Sequence, residues 1–340
     1  MINEMEAFLS AQYRARAASR TWNVSACQSG AQAFDEWRKG LCGTLREALR
    51  LPRPPLNISL CMEATEKKDG YTRLRLTYLS EEGLRTPAYL LAPDGADAGT
   101  PFVVCLHGHG YGCKDVAGLR QEESYQKGFA LRVCRAGMIA LAPELAGFGE
   151  LRLPEELAGE DDGQSSCHRL AVNLLACGRT LLGVRVNQAM RAMDAARAIY
   201  PGCALGMMGI SGGGTITALT AALDARVRAC VVSGYANTFE RSILAMRHCV
   251  DNYWPDMVGQ MEMPDLLCAI APRPMLWETG SRDPIYPQAA ALCAAQTVRA
   301  CYDRLGAAQD FEVDAFDGEH EIHGTRAFSF LREHCVGASC

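Results

Sequence analysis

The chain has 340 residues, of which 49% are hydrophobic and 21% charged, a content that can bury a full core and excludes a disordered or fibrous protein. Its formal net charge of −5 leaves no basic stripe for neutralising phosphates, so nucleic acid is not an expected partner. No window approaches eighteen uncharged apolar residues, and Met1 to Arg20 mixes Glu4, Glu6, Arg14 and Arg16 into its apolar residues, so neither a membrane span nor a signal peptide is expected.

In chain order, residues up to about Leu51 carry helical signals, notably Phe34 to Trp37 and on through Leu49, before Leu51-Pro-Arg-Pro-Pro55 stops any helix. Residues 1–55 therefore read as a helical extension, with packing on the core or homo-oligomer contacts as its two open roles. From Leu56 to about Ala92 apolar residues alternate, as in Tyr71, Leu74, Leu76 and Tyr78, with Glu82-Gly83 as a turn, which predicts an antiparallel sheet margin. Beyond Gly99-Thr100-Pro101 come short, continuous apolar runs at Phe102–Leu106, Met138–Ala142, Ala204–Met208, Ala229–Val232, Met275–Trp277 and Phe311–Ala315. Such runs are the pattern of parallel strands buried on both faces. Leu182 to Ile199 places Val186, Met190, Met193 and Ala196 near one helical face and serves as a crossover. The repeated strand-helix-strand units predict a mostly parallel, doubly wound α/β sheet over residues 56–340. Two stretches, residues 147–181 and 235–271, exceed ordinary connections and read as insertions that roof a site.

The sixteen cysteines are scattered, often inside apolar runs, and no Cys-x-x-Cys pair occurs. They read as small buried hydrophobes of a cytoplasmic protein rather than as a disulfide framework or a zinc ribbon.

Gly209-Ile-Ser211-Gly-Gly213 lies after one apolar run and before the helical stretch Thr215–Leu223. A G-x-S-x-G turn between strand and helix exposes its serine in a strained backbone conformation, and its glycines leave room for neighbouring elements. A serine hydroxyl needs a base, and the base an orienting acid, in the chain order Ser, Asp, His. Asp283 follows the run Met275–Trp277, and His320 follows Phe311–Ala315, each on a loop beyond a strand end. His323 competes with His320 as base, and a metal held by these two histidines is a third reading. No further His or Cys cluster is visible, so no metal or other cofactor is expected. An oxyanion needs two backbone donors, for which Gly212 and His109, in the loop His107-Gly-His-Gly110 after Phe102–Leu106, are the candidates. Gly108 and Gly110 also begin a dinucleotide fingerprint, but Cys113 stands at its third glycine and Glu144 lies too far on to be its acid.

His107-Gly-His-Gly110, Gly209-Ile-Ser-Gly-Gly213, Ala271-Pro-Arg-Pro274, Asp283-Pro and Gly318-Glu-His320-Glu together resemble the dienelactone-hydrolase and acetyl-xylan-esterase-like branch of the α/β hydrolases. The resemblance runs from about Thr86 to Glu333. It implies the α/β-hydrolase fold with an eight-stranded, mostly parallel sheet, a Ser-Asp-His triad with His320 as base, and hydrolysis of small-molecule carboxylic esters. Dienelactone hydrolases use a cysteine nucleophile, so with Ser211 in that place their particular chemistry is not implied. A peptidase or thioesterase on the same triad, and an idle binding module, are the alternatives. Phe148, Tyr235, Tyr253 and Trp254 are the expected pocket walls.

Overall fold

The structure, a computed structural model, describes residues 3–27, 30–53, 57–120, 124–158 and 163–335. The boundary expected at residue 55 lies outside them. Nine strands form one sheet: β1 (Cys61–Lys68), β2 (Tyr71–Glu81), β3 (Leu84–Pro93), β4 (Phe102–Leu106), β5 (Ile139–Pro143), β6 (Leu205–Ile210), β7 (Val227–Ser233), β8 (Met275–Gly280) and β9 (Phe311–Phe316). Their order across the sheet is β1-β2-β3-β5-β4-β6-β7-β8-β9. The pairs from β1 to β5 are antiparallel and the rest parallel. This is the α/β-hydrolase sheet, with one strand more than the resemblance implied. The extra strand, β1, lies at the edge and is exposed along nearly its whole length. It has no buried face, hence no apolar period to announce it.

Each parallel strand serves two cores, because successive side chains point to opposite faces. In β4, Phe102, Val104 and Leu106 join one apolar cluster, while Val103 and Cys105 join the other. The first cluster is covered by the helices Leu181–Ile199 and Gly212–Leu223, the second by Phe129–Arg135 and Ala327–His334. The N-terminal region belongs partly to this packing. Helix Ala31–Ala48 buries Phe34, Trp37, Leu41 and Leu45, a spacing of three and four residues that keeps them on one face. Its Arg46 donates to the Leu223 carbonyl at 2.6 Å, and its Cys42 thiol lies 3.3 Å from the Ala222 carbonyl, which covers the end of the helix that begins after Ser211. Helix Glu4–Ala18 buries no side chain, and Arg16 and Arg20 pair with Asp256 and Asp265.

Strand order reverses at β4. The chain steps from β4 to β5 on one side, then crosses to β6 on the other, so the carboxyl ends of β4 and β6 flank a crevice where open α/β sheets bind ligands. Leu106 pairs with Gly209 at this point, which puts the loop after β4 beside Ser211. None of the described helices is long and apolar enough to cross a membrane.

Candidate active site

Ser211 sits between β6 and helix Gly212–Leu223 with φ +56° and ψ −123°, in the positive-φ region that a side chain adopts at a cost. Sterics explain the surrounding glycines. A Cβ on Gly213 would run into the carbonyl oxygen of Leu106, and one on Gly209 into the carbonyl of Gly213. A Cβ on Gly108 would stand 3.1 Å from the Ser211 Cβ and collide with the Tyr125 hydroxyl. Elbow and loop can therefore touch only as bare backbone.

The loop after β4 is fixed from several sides. His107, fully buried, uses Nδ1 toward the Gly108 carbonyl (2.8 Å) and accepts the Leu145 N–H at Nε2 (3.0 Å). Gln126 accepts the Gly108 N–H at 2.7 Å, and Tyr125 donates to the His109 carbonyl at 2.8 Å. Burial raises the Tyr125 pKa, so its hydroxyl remains a proton donor. Buried Glu144 accepts the Cys113 N–H at 3.0 Å and fills the space where a Cβ on Gly112 or Gly149 would lie. Among the described residues, the backbone N–H groups of His109 and Gly212 donate to no other group, and the His109 ring lies 3.2 Å from where a Gly212 Cβ would stand.

Asp283 and His320 meet across 37 residues of chain. Asp283 is buried; its Oδ1 accepts the N–H groups of Ile285 (2.8 Å) and Tyr286 (2.9 Å), and its Oδ2 lies 2.8 Å from His320 Nδ1. The carboxylate is thus fixed before it meets the ring. The His320 ring stacks on Tyr125 (centroids 5.4 Å apart) and on Tyr286 (5.8 Å). Its Nε2 is buried with no hydrogen-bond partner among the described residues. Gly234, just beyond β7 at φ +51°, makes room for this ring, since a Cβ there would stand 2.8 Å from His320 Cε1 and 3.5 Å from Ile210, the residue before Ser211.

The competitor is engaged elsewhere. His323 Nδ1 pairs with Asp314 (2.7 Å), its Nε2 with Thr325 Oγ1 (3.0 Å), and its ring stacks on Phe316. The two histidines face different carboxylates, and no described group of metal-ligating side chains contains both.

Three expectations, for Tyr253, for Trp254 and for the absence of a His and Cys cluster, need correction. Tyr253 and Trp254 do not line the cavity at His320: they border one of about 950 Å³ between helix Glu4–Ala18 and the second insertion. The cavity at His320, about 340 Å³, is lined by Ser124, Tyr125, Lys127, Glu319, His320 and Glu321, so its mouth is polar. Phe148 and Tyr235 do lie close: Phe148 stands edge-on to both His107 and His109, and Tyr235 meets Tyr286, which stacks on His320. The third correction is that a His and Cys cluster does exist. His109, Cys167, Cys249 and Asp251 bring their donor atoms within 4.8 Å of one another. Arg185, almost fully buried, ion-pairs with Asp251 and approaches the Cys167 Sγ at 2.9 Å. Burial opposes charge on Asp251, yet Arg185 and His109 hold its carboxyl well below the usual carboxylate range. Desolvation lowers the His109 pKa, but Asp251 outweighs it and the net shift is upward. The two insertions thus reach the elbow, with Asn252 also meeting Thr215 at 3.3 Å.

Sequence reasoning missed Tyr125, Tyr286 and Gly234. Gly234 alone left a trace, a glycine directly after a buried strand, where a chain needing positive φ turns over the sheet edge.

A parallel sheet with a strained serine at the end of β6, beside an Asp-His pair at the ends of β8 and β9, is the framework of an α/β hydrolase. The chain belongs to the Abhydrolase family, whose model matches residues 22–195, a span that starts within the N-terminal helical region. A Bacillus subtilis (strain 168) protein named as a candidate hydrolase, YtaP, is 26% identical over 240 residues, 67% of this chain and 76% of that protein. A candidate acetyl xylan esterase from Bacteroides fragilis NCTC 9343 superposes with a TM-score of 0.78 at 18% identity, covering 99% of this chain and 91% of that one. A glucuronoyl esterase from Solibacter usitatus gives a TM-score of 0.67 at 14% identity over 91% of this chain and 94% of its own. At such identities the likeness to the two solved structures is one of fold.

Proposed function

We propose that the protein is a serine hydrolase that cleaves short-acyl carboxylic esters through an acyl-enzyme on Ser211. The observation that carries this reading is His320 Nε2, buried and unpartnered on an imidazole whose other nitrogen is held by Asp283. A buried polar atom without a partner is costly, and a reacting hydroxyl relieves that cost. Ser211 Oγ attacks the ester carbonyl while His320 Nε2 takes its proton, and Asp283 keeps the second proton on Nδ1 and stabilises the imidazolium that forms. The N–H groups of Gly212 and His109 donate to the oxyanion. His320 then protonates the departing alkoxide, and water, activated by the same ring, hydrolyses the acyl-serine. The esterase names of the solved structures that share this fold point to the same bond class.

The seat of His320 gives a prediction that does not touch the triad. Gly234→Ala crowds the imidazole, and a displacement on the order of 1 Å costs roughly 10²-fold in kcat. KM stays close to wild type, because Gly234 contacts the ring rather than the substrate, while the melting temperature falls modestly because alanine is strained at φ +51°. A kcat within about twofold of wild type would remove Gly234 from the account.

Acyl size follows from the aromatic surroundings. Tyr286, Tyr235 and Phe148 are buried around the Asp-His pair and the loop after β4, and close-packed walls resist overfilling. Each CH₂ adds about 0.8 kcal/mol only while the chain still fits. Acetyl to butyryl esters are therefore expected to be preferred over acyl chains of about eight carbons or more. The check is kcat/KM across p-nitrophenyl esters of increasing length, run beside matched thioester and peptide substrates. A maximum at octanoate, or faster turnover of the thioester or peptide, overturns the substrate class while leaving the serine chemistry standing.

A further inference from the structure

We propose that His109, Cys167, Cys249 and Asp251 form a binding site for a zinc-type divalent cation, a Cys₂-His-Asp set that ties both insertions to the loop after β4. The four residues come from three separate parts of the chain. His109 lies in the loop after β4, Cys167 opens helix Cys167–Ala176 of the first insertion, and Cys249 and Asp251 belong to the second. Their donor atoms nevertheless converge within 4.8 Å of one another. His109 Nε2 lies 3.1 Å from Asp251 Oδ2 and 3.9 Å from Cys167 Sγ. A tetrahedral ion with bonds of about 2.0–2.3 Å holds its donors roughly 3.3–3.8 Å apart, so only small movements would seat it. Two sulfurs, one imidazole and one carboxylate favour zinc over magnesium or calcium, which take oxygen ligands.

Arg185 completes the site rather than competing for it. Its Nε and Nη2 also donate to the Ala146 carbonyl, at 2.9 and 2.7 Å, so the guanidinium is anchored outside the cluster while Nη2 touches Cys167 and Nη1 touches Asp251. Two thiolates and a carboxylate carry three negative charges, and Arg185 and a divalent cation carry three positive ones. The bound site is therefore neutral, as a buried site requires. An outer donor on a ligating sulfur is a common feature of such centres. His109 would ligate through Nε2, leaving Nδ1 on the side of Gly212.

The test uses the full-length protein, reduced with a phosphine and stripped of metal, then titrated with Co²⁺. Tetrahedral visible absorption with thiolate-to-metal charge transfer, saturating at one equivalent and abolished by added Zn²⁺, is expected. Cys249→Ser and Cys167→Ser should each lose most of the charge-transfer intensity, whereas His323→Ala, in the separate Glu278, Asp314 and His323 group, should keep it. If the serine variants do not fold, alkylation mapping of the wild type decides: Zn²⁺ should protect Cys167 and Cys249 and leave exposed Cys61, Cys177 and Cys293 reactive. Co²⁺ binding without a thiolate band, no binding at micromolar metal, or unprotected Cys167 and Cys249 overturns the site. So does a Cys167–Cys249 disulfide that forms under air and leaves the sulfurs a redox pair.

Discussion

His320→Ala is expected to lower turnover by about 10⁴-fold or more, and His323→Ala to leave it within about tenfold. Sequence alone left the choice open, because the two residues share one loop beyond β9. Their ring nitrogens separate them. Both nitrogens of His323 are engaged, by Asp314 and Thr325, away from Ser211, so its loss costs local packing on Phe316. His320 has one nitrogen on buried Asp283 and the other free. Steady-state kinetics of both variants on a short-chain ester, with melting curves alongside, provides the check. A deeper loss from His323→Ala than from His320→Ala would give the role of base to His323.

Ser211→Ala is expected to abolish turnover while the protein stays folded. The hydroxyl meets that of Tyr125 and packs in no apolar core, so its removal leaves no cavity, and Tyr125 keeps its bond to the His109 carbonyl. Its backbone is strained at φ +56°, and alanine bears that strain no worse than serine. What is lost is the atom that bonds the acyl group. Residual hydrolysis from the remaining donors and binding groups should lie orders of magnitude below wild type. Near-wild-type kcat with an unchanged melting curve would place the nucleophile elsewhere.

The parallel strands were legible because burial on both faces leaves uninterrupted apolar runs. Phe102–Leu106 stands as expected, while β6 and β8 extend two and three residues past their apolar runs, into Gly209-Ile210 and Glu278-Thr-Gly280. Those extensions carry the chain to the site, where glycine and polar residues replace the apolar pattern. Edge strand β1 was hidden for the opposite reason, having no buried face at all. The strained turn at Ser211 and the pairing of Asp283 with His320 were legible through the glycine spacing of the elbow and the chain order of the fold. The aromatic cradle of His320 was not, since Tyr125 and Tyr286 are ordinary core residues until the fold stacks them on one ring. Nor was the cluster around Asp251: of its four members only Cys249 and Asp251 are close in sequence, and the other two lie 142 and 84 residues before Asp251.

The most direct test of the central claim is to find the residue that bonds to a fluorophosphonate. Such a reagent phosphonylates an activated serine, releasing fluoride, and peptide mass spectrometry locates the adduct. One adduct per chain is expected, on the peptide containing Ser211, absent from Ser211→Ala and strongly slowed in His320→Ala. No adduct on a folded chain, or labelling that persists in Ser211→Ala, would contradict Ser211 as the nucleophile.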